Sequence, residues 1–168
     1  RDRGKSPTEP DPDIYEHKYI HCDVLVIGAG ISGIIAAKTA AKNGYKTLLV
    51  DEKPYLGGST IYQNSEHFKI NNQISSSWLE KEINEIKKIK NLEIKTRTSG
   101  AAHHGYNFLL ARENLRDSIP LEQRNNKIRQ RLLKIRAKKV ITATGSLERP
   151  LIFDNNCLLY TSPSPRDQ

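Results

Sequence analysis

Three glycines and one aspartate early in the chain have the spacing of a nucleotide-binding site. In the string Gly28 to Gly33, the first glycine permits a tight turn, Gly30 lets a diphosphate approach the backbone, and the last lets a helix pack closely on a sheet. Asp51 lies where a carboxylate accepts hydrogen bonds from ribose hydroxyls and repels a 2′-phosphate. These residues predict an adenine-dinucleotide site that prefers NAD or FAD to NADP.

Two further short motifs are predicted to complete this site. Gly57-Gly58 and Ala143-Thr144-Gly145 are each compatible with an ordinary turn, but their order after the first string is typical of flavoproteins with two dinucleotide domains. No residue is predicted to be catalytic, and none to bind a metal. The predicted cofactor-binding residues are Gly28, Ala29, Gly30, Ser32, Gly33, Asp51, Glu52, Gly57, Gly58, Ser59, Thr144 and Gly145.

The elements around the glycine string form a β-α-β unit. Val24–Ile27 is a short apolar run rich in β-branched residues, which is typical of a strand buried on both faces. A helical pattern padded with alanines begins at Ile31 and stops at Asn43-Gly44, and Lys46–Val50 is a second buried strand. A right-handed crossover between these strands places the glycine string at the start of the helix.

Downstream of this unit the pattern predicts one more helix and several strands. Ser77 and Glu80 form a capping box for a helix running to about Lys90, which Trp78 anchors to the sheet. The predicted strands are Leu92–Thr98, the alternating segments Tyr106–Arg112 and Arg131–Ala137, and a buried strand at Lys139–Gly145. The predicted fold class is α/β: a Rossmann-like FAD/NAD(P)-binding domain of the two-dinucleotide type, in which a parallel sheet carries an antiparallel β-meander, and which is incomplete.

The domain organisation is predicted from changes in composition. Residues 1–21 hold several prolines and charges without periodicity and are interpreted as a linker, and residues 22–156 as the first part of the FAD/NAD(P)-binding domain. Residues 157–168 lack periodicity and are interpreted as a read-through tail that is not native. Because the 168 residues contain no methionine, we interpret the chain as a fragment.

Charge and composition argue against several classes of function. The chain has 27 Lys and Arg against 19 Asp and Glu, but its basic runs at Lys81–Lys90 and Arg124–Lys139 alternate with apolar residues, as solvated faces do. No apolar run approaches the ~20 residues that cross a bilayer. Cys22 and Cys157 have no metal-binding spacing, which favours a reducing compartment. We therefore predict no nucleic-acid partner, no membrane partner and a cytoplasmic location.

The remaining reactive side chains do not form a recognisable catalytic group. No cysteine pair follows Gly57-Gly58, which excludes thiol–disulfide chemistry there. His67, His103 and His104 have no placed carboxylate or metal partner, so they are interpreted as surface or core residues rather than as bases. Cys22, at the start of a buried strand, is interpreted as a small hydrophobic residue.

Several segments of the chain together carry a family resemblance. They are Pro10-Asp11-Pro12-Asp13, Tyr15-Glu16-His17, His21 through Gly30, Asp51-Glu52-Lys53-Pro54, Leu56-Gly57-Gly58-Ser59, Thr96-Arg97-Thr98, Ile135-Arg136-Ala137-Lys138 and Ala143 through Pro150. In these segments the sequence resembles the α subunits of heterotetrameric sarcosine oxidases, and the resemblance runs from about Lys5 to Asn156. The departures are Ile31-Ser32, where the family more often has Pro-Ala, and the His103-His104-Gly105 segment.

This resemblance implies more than the spacing does. In the family the α subunit holds a noncovalent NAD at this glycine turn, and the β subunit carries FAD and a covalently held FMN and oxidises sarcosine to glycine, with hydrogen peroxide released. A folate-binding domain of the α subunit, missing here, passes the one-carbon unit to tetrahydrofolate. The implied partners are the β, γ and δ subunits. The resemblance assigns the NAD site to Gly28, Gly30, Gly33, Asp51, Gly58 and Gly145.

Two alternatives remain open from the sequence. The first is a domain that binds its own FAD, in another amine, amino-acid or opine oxidoreductase or in a cyanide-forming glycine oxidase. The second is a non-catalytic nucleotide-binding module that recruits partners through its basic faces. The glycine motifs are as compatible with the first alternative as with the α-subunit interpretation, so they do not distinguish the two.

Overall fold

The computed structural model describes residues 8, 10–11, 13–62 and 68–146. The predicted tail at 157–168, the predicted domain end at residue 156, and His67 lie outside these residues. The elements are β1 (Ile14–Ile27), α1 (Ile31–Lys42), β2 (Thr47–Val50), a 3₁₀ turn (Gly58–Tyr62), β3 (Lys69–Ile70), β4 (Gln73–Ile74), α2 (Ser75–Ile86), β5 (Leu92–Lys95), β6 (Thr98–His104), a 3₁₀ turn (Gly105–Asn107), β7 (Phe108–Asn114), a 3₁₀ turn (Leu121–Gln123) and β8 (Ile128–Thr142).

Six of these strands form one mixed sheet. Their order is β5-β2-β1-β8-β7-β6, with β5, β2, β1 and β8 parallel and with β8, β7 and β6 joined as an antiparallel meander. The remaining strands, β3 and β4, pair as a short separate hairpin. This arrangement confirms the predicted α/β fold class, including the β-α-β unit and the meander.

The two helices cover one face of the parallel strands. Ile34 of α1 and Ile86 of α2 are fully buried and pack in one apolar cluster with Val26 and Leu49 of the sheet. Each such side chain contributes roughly 1.5–3 kcal/mol when it leaves water. Trp78 is buried in the same cluster, which confirms its predicted role as the anchor of α2.

The meander folds back over the other face of the parallel strands. Leu25 and Leu48 share a second apolar cluster with Leu109, Leu133 and Ile135 of the meander. The first residue of β6 is fastened to the end of β2, where the N–H of Thr98 donates to the carbonyl of Asp51 at 2.7 Å. The meander thus returns to the edge of the sheet that carries the glycine string.

The side-chain alternation of β1 changes near Asp23. Cys22 and Leu25 belong to the same buried cluster, although positions three apart in a regular strand point to opposite faces. At this point the N–H groups of Asp23 and Val24 both donate to the carbonyl of Lys46, at 2.8 and 3.2 Å. The irregularity lets one strand serve both the parallel sheet and the meander.

Several predicted boundaries are wrong along β1 and β8. Residues from Ile14 onward were assigned to the linker, but β1 begins there because it pairs in parallel with β8 along most of its length. The segments Arg131–Ala137 and Lys139–Gly145 were predicted as two strands and are one strand, β8. Its last part is not buried: Ile141 is 38 % exposed, since β7 pairs with β8 only as far as Arg136.

The other corrections concern α2 and β6. The predicted capping box is absent, because α2 begins at Ser75 and Ser77 lies inside its first turn, with Ile74 at the N-cap. The helix ends at Ile86 rather than near Lys90. The predicted strand Leu92–Thr98 is interrupted after Lys95, and Thr98 begins β6, a strand that the sequence did not reveal because its glycine and alanines give no apolar alternation.

Ion pairs also join several of the elements. Glu113 of β7 is buried and accepts hydrogen bonds from Lys95 Nζ at 2.8 Å and from Arg131 Nη1 at 3.0 Å. Lys38 of α1 lies 2.5 Å from the Glu82 carboxylate of α2, and this hydrogen bond raises the pKa of Lys38. Among the described residues, no helix has the length and apolar character needed to span a membrane.

Candidate dinucleotide-binding site

Three glycine-containing turns meet at the carboxyl edge of the parallel sheet. Ile27, the last residue of β1, lies in register with Val50 of β2 on one side and with Thr142 of β8 on the other. The turns that follow these three strands therefore begin at the same level. In open α/β sheets this edge is where ligands bind.

Two positions of the first turn, Gly28 and Gly33, can hold only glycine. Gly28 has a φ of +100°, and a Cβ there would lie 2.3 Å from the carbonyl oxygen of Ala143. A Cβ at Gly33 would lie 1.8 Å from the carbonyl oxygen of Gly28. Both distances are far below van der Waals contact, so these glycines allow β1, α1 and β8 to approach one another.

Gly30 differs from its neighbours, because the space beside it is open. It forms the N-cap of α1 with φ −71° and ψ −174°, and a Cβ built there meets no atom within 4 Å. Side chains are tolerated by this backbone conformation. Neither packing nor strain within the described residues therefore requires glycine here, and the start of α1 is open to an approaching group.

The second turn is held against the first. The N–H of Gly57 donates to the carbonyl of Ala29 at 2.7 Å, and a Cβ at Gly58 would lie 3.0 Å from the Cα of Gly30. Gly57 and Gly58 have φ values of +124° and +57°, which favour glycine. The two predicted glycine motifs thus contact each other directly.

Asp51 ties the turn to the end of β2. Its side chain accepts hydrogen bonds from the N–H of buried Ala29 at 2.5 Å and from the N–H of Lys53 at 2.8 Å, one on each carboxylate oxygen. A carboxylate has about four acceptor positions, so two remain after these bonds. Asp51 is buried at the edge of the sheet, with 8 % of its surface exposed.

The other predicted site residues lie around this centre and are exposed. Ser32 lies in the first turn of α1, and Glu52 and Ser59 follow β2. Thr144 and Gly145 follow β8, with Gly145 at a φ of +72°. The structure therefore brings the whole predicted set to one edge, with the three glycine turns in the middle.

Sequence reasoning missed a pair of tyrosines beside the second turn. The hydroxyls of Tyr55 and Tyr62 are 2.5 Å apart, and this hydrogen bond raises the pKa of Tyr55. Both side chains are exposed. The available signal was their position, since one precedes and the other follows Gly57-Gly58 in the sequence.

The other reactive side chains considered in the sequence lie away from this edge or are buried. His103 and His104 are exposed on β6. Burial raises the pKa of the Cys22 thiol to about 11, consistent with its interpretation as a small hydrophobic residue. Within residues 8–62 and 68–146, as far as they are described, no group of three or more His, Cys, Asp and Glu could hold a metal ion.

A glycine turn opening the first helix, an acid after the second strand and a second glycine turn against the first define a nucleotide-binding α/β oxidoreductase domain. The chain belongs to the family of FAD dependent oxidoreductases, whose model matches residues 23–145.

The curated relatives include α subunits of sarcosine oxidase, as the sequence motifs predicted. That of Rhizobium meliloti (strain 1021) is 35 % identical over 91 % of this chain and 15 % of that protein. That of Corynebacterium sp. (strain P-1) is 33 % identical over 92 % of this chain and 16 % of that protein. The chain therefore spans about a sixth of the length of the relatives it matches.

Solved structures show the same architecture. The L-proline dehydrogenase from P. horikoshii superposes with a TM-score of 0.60 at 26 % identity, covering 84 % of this chain and 26 % of that one. A thioredoxin reductase TrxB from Bacillus anthracis gives a TM-score of 0.51 at 18 % identity, covering 79 % of this chain and 39 % of that chain, and shows the likeness of fold alone.

Proposed function

We propose that this chain binds the diphosphate and adenosine ribose of NAD through the three glycine turns and Asp51. The observation that carries the proposal is the open space beside Gly30, at the N-terminal end of a helix whose unpaired N–H groups attract anions. Asp51 retains acceptor positions for a ribose hydroxyl, and its charge disfavours a 2′-phosphate. Ser32, Glu52, Ser59, Thr144 and Gly145 would line the rim.

We place the chain in the α subunit of an oxidase that acts on the CH–NH group of sarcosine. The support is its likeness to sarcosine oxidase α subunits over about nine-tenths of its length. In this proposal partner subunits β, γ and δ complete the assembly, and flavins held by the β subunit would supply the chemistry for the two-electron oxidation of sarcosine, with oxygen reduced to hydrogen peroxide. The methyl carbon goes to tetrahydrofolate in another domain, and glycine is the product.

The role of this chain in that proposal is binding rather than chemistry. None of its residues oxidises the substrate, and NAD, which supplies hydride-transfer chemistry in other enzymes, would act here mainly as a structural or regulatory ligand. The cytoplasmic location inferred from the two cysteines stays a prediction.

FAD is the second candidate for the same site. The family model that matches residues 23–145 is described as that of FAD dependent oxidoreductases. The glycine turns and Asp51 suit the adenosine diphosphate part that NAD and FAD share. The flavin alternative would fit another amine, amino-acid or opine oxidoreductase.

A Gly30→Ala substitution tests the site without testing the fold. Its methyl group has free space in the protein and an allowed backbone conformation, so we expect the free energy of unfolding to be unchanged or raised by about 0.4–1 kcal/mol. The same methyl group occupies the space assigned to the diphosphate. Isothermal titration of the full-length protein, stripped of nucleotide, should show NAD binding weakened at least tenfold.

The matched control is Gly105→Ala, at a second glycine where a Cβ meets nothing within 4 Å. It should leave binding unchanged, and the free energy of unfolding should be unchanged or slightly raised, as in Gly30→Ala. Equal affinity of the Gly30→Ala variant and the wild type would refute the site. Cofactor identity is settled separately by heating the purified full-length protein: NAD in the supernatant supports the first candidate, and a yellow fluorescent supernatant from this subunit alone supports FAD.

A further inference from the structure

One side of the meander is exposed and has an unusual composition. Two rows of side chains cross β1, β8 and β7 on this side, and we call these six residues the outer meander face: Tyr19, Lys134 and Leu110 in one row, and His21, Arg136 and Phe108 in the other. Their chain neighbours Ile20, Leu133, Leu109 and Ile135 are buried in the core between meander and sheet. Because side chains alternate along a strand, the outer meander face points away from that core.

The outer meander face combines aromatic rings with cations and contains no acidic residue. Tyr19 is 67 % exposed, whereas Leu110, Phe108 and Lys134 are half-buried. The neighbouring row adds His17, Leu132 and Arg112, again without a carboxylate. A surface that offers rings, aliphatic groups and guanidinium together resembles the composition of protein–protein interfaces.

The cations of this face are held in place before any partner arrives. Lys134 Nζ lies 5.1 Å from the centre of the Tyr19 ring and 3.3 Å from its hydroxyl oxygen. The Arg136 guanidinium lies 5.0 Å from the centre of the Phe108 ring. Stacked side chains lose less conformational freedom when they bind, so their contribution to affinity is larger.

The face continues into an open cleft with excess positive charge. The cleft holds about 360 Å³ and is lined by Lys46, Arg136 and Lys138 together with Asp23. Asp23 forms an ion pair with Lys138 at 2.7 Å, which leaves two of the three cations without a carboxylate within this lining. A carboxylate side chain entering the cleft would find complementary charge.

We propose that the outer meander face and this cleft dock an acidic surface of a partner subunit. Taking the strand spacing and rise of ordinary sheets, seven residues on each of the four strands β1, β8, β7 and β6 cover roughly 450 Å², about half of the roughly 800 Å² per partner in a standard interface. The occupant is a protein whose contact region carries Asp and Glu around an apolar centre. The proposal rests on the multi-subunit assembly proposed above, but it does not depend on which nucleotide is bound.

A protein fits this surface better than a nucleic acid does. Leu110, Leu132 and Phe108 lie between the cations, and half-buried aliphatic groups gain free energy against apolar side chains rather than against phosphates. Nucleic-acid binding is therefore an outcome that the experiment has to exclude.

Zero-length carbodiimide cross-linking of the purified native assembly tests the proposal, because this reagent joins amines only to carboxylates in direct contact. We expect peptides that link Lys134 or Lys46 to Asp or Glu of another subunit, while the internal Lys138–Asp23 link shows that the reagent has reacted. Amine acetylation should modify Lys134 at least tenfold more slowly in the assembly than in the separated subunit. Equal acetylation in both states, without intersubunit links from these lysines, overturns the proposal.

A charge-reversal variant provides the second arm. Lys134→Glu with Arg136→Glu should weaken subunit association about 10- to 100-fold in low salt, with a smaller difference at high salt. The matched control is Lys81→Glu with Lys90→Glu, an equal change of charge on exposed lysines of α2 and the segment after it, which should leave association unchanged. Equal association of the two variants overturns the proposal. It is also overturned if the subunits of the first variant still assemble while that variant alone loses salt-sensitive binding to heparin, because the face would then bind polyanions.

Nucleotide content of each preparation separates this proposal from the proposed function. An assembly that contains neither NAD nor FAD but shows the intersubunit cross-links refutes the nucleotide site and supports the docking face. An assembly that contains NAD or FAD but shows no intersubunit cross-links supports the nucleotide site and counts against the docking face.

Discussion

Removal of the Asp51 carboxylate is expected to damage both the glycine turn and nucleotide binding. In the structure the side chain accepts one hydrogen bond from the N–H of Ala29, at 2.5 Å, and one from that of Lys53, at 2.8 Å. The first of these bonds is buried, because Ala29 has no exposed surface. Asp51→Ala therefore leaves a buried donor without a partner in addition to removing the proposed contact with ribose.

The size of both effects follows from the bonds lost. Hydrogen bonds to charged groups contribute roughly 1.5–3 kcal/mol, and an unsatisfied buried donor costs about 1–3 kcal/mol, so we expect the free energy of unfolding to fall by about 2–5 kcal/mol. Loss of charge-assisted bonds to the ribose should weaken nucleotide binding by about 1–3 kcal/mol. That corresponds to a dissociation constant raised roughly 5- to 150-fold.

Two measurements on the full-length protein separate the two effects. Urea unfolding without nucleotide reports the turn alone, and titration with NAD at a temperature where the variant is fully folded reports the binding. Asp117→Asn is the matched control, since Asp117 is an exposed carboxylate away from the glycine turns, and it should change each quantity by less than about 0.5 kcal/mol. An unchanged dissociation constant in Asp51→Ala would refute the assigned contact with ribose.

Three further outcomes are expected. Lys38→Met should lower the free energy of unfolding by about 1–3 kcal/mol, because it removes the charged partner of the Glu82 carboxylate, and Glu82→Leu in the same chain should restore part of the loss in urea titrations. The hydrogen bond from Lys138 lowers the pKa of Asp23, so this pair stabilises the fold above the ordinary carboxyl pKa, and the effect is lost as pH falls through the lowered value. Asp23→Asn should therefore be less stable than the wild type at pH 7, and the difference should shrink as the pH is lowered through the acid range. Cys22, with its pKa raised to about 11, should react with Ellman's reagent at pH 8 only after denaturant is added, and rapid labelling of the folded protein would contradict its burial.

The local pattern of the sequence determined the β-α-β unit and most of the proposed site. Apolar runs at Val24–Ile27 and Lys46–Val50 are recognisable because strands buried on both faces need apolar residues at successive positions. The glycines at 28 and 33 were readable because no other residue fits a turn in which backbones come this close. Asp51 could be predicted from its position in the chain alone, because it directly follows the second strand of the β-α-β unit.

Only the tertiary structure decided the extent of the strands and what surrounds Asp51. Residues Ile14 to His21 carry no strand pattern of their own, and they form a strand because β8 supplies their hydrogen-bonding partners from more than a hundred residues away. The approach of Gly58 to Gly30, the Asp51 bond to Ala29 and the tyrosine pair beside them depend on how separate turns pack. Such contacts leave no periodic trace in the sequence, because the free energy that fixes them comes from groups distant along the chain.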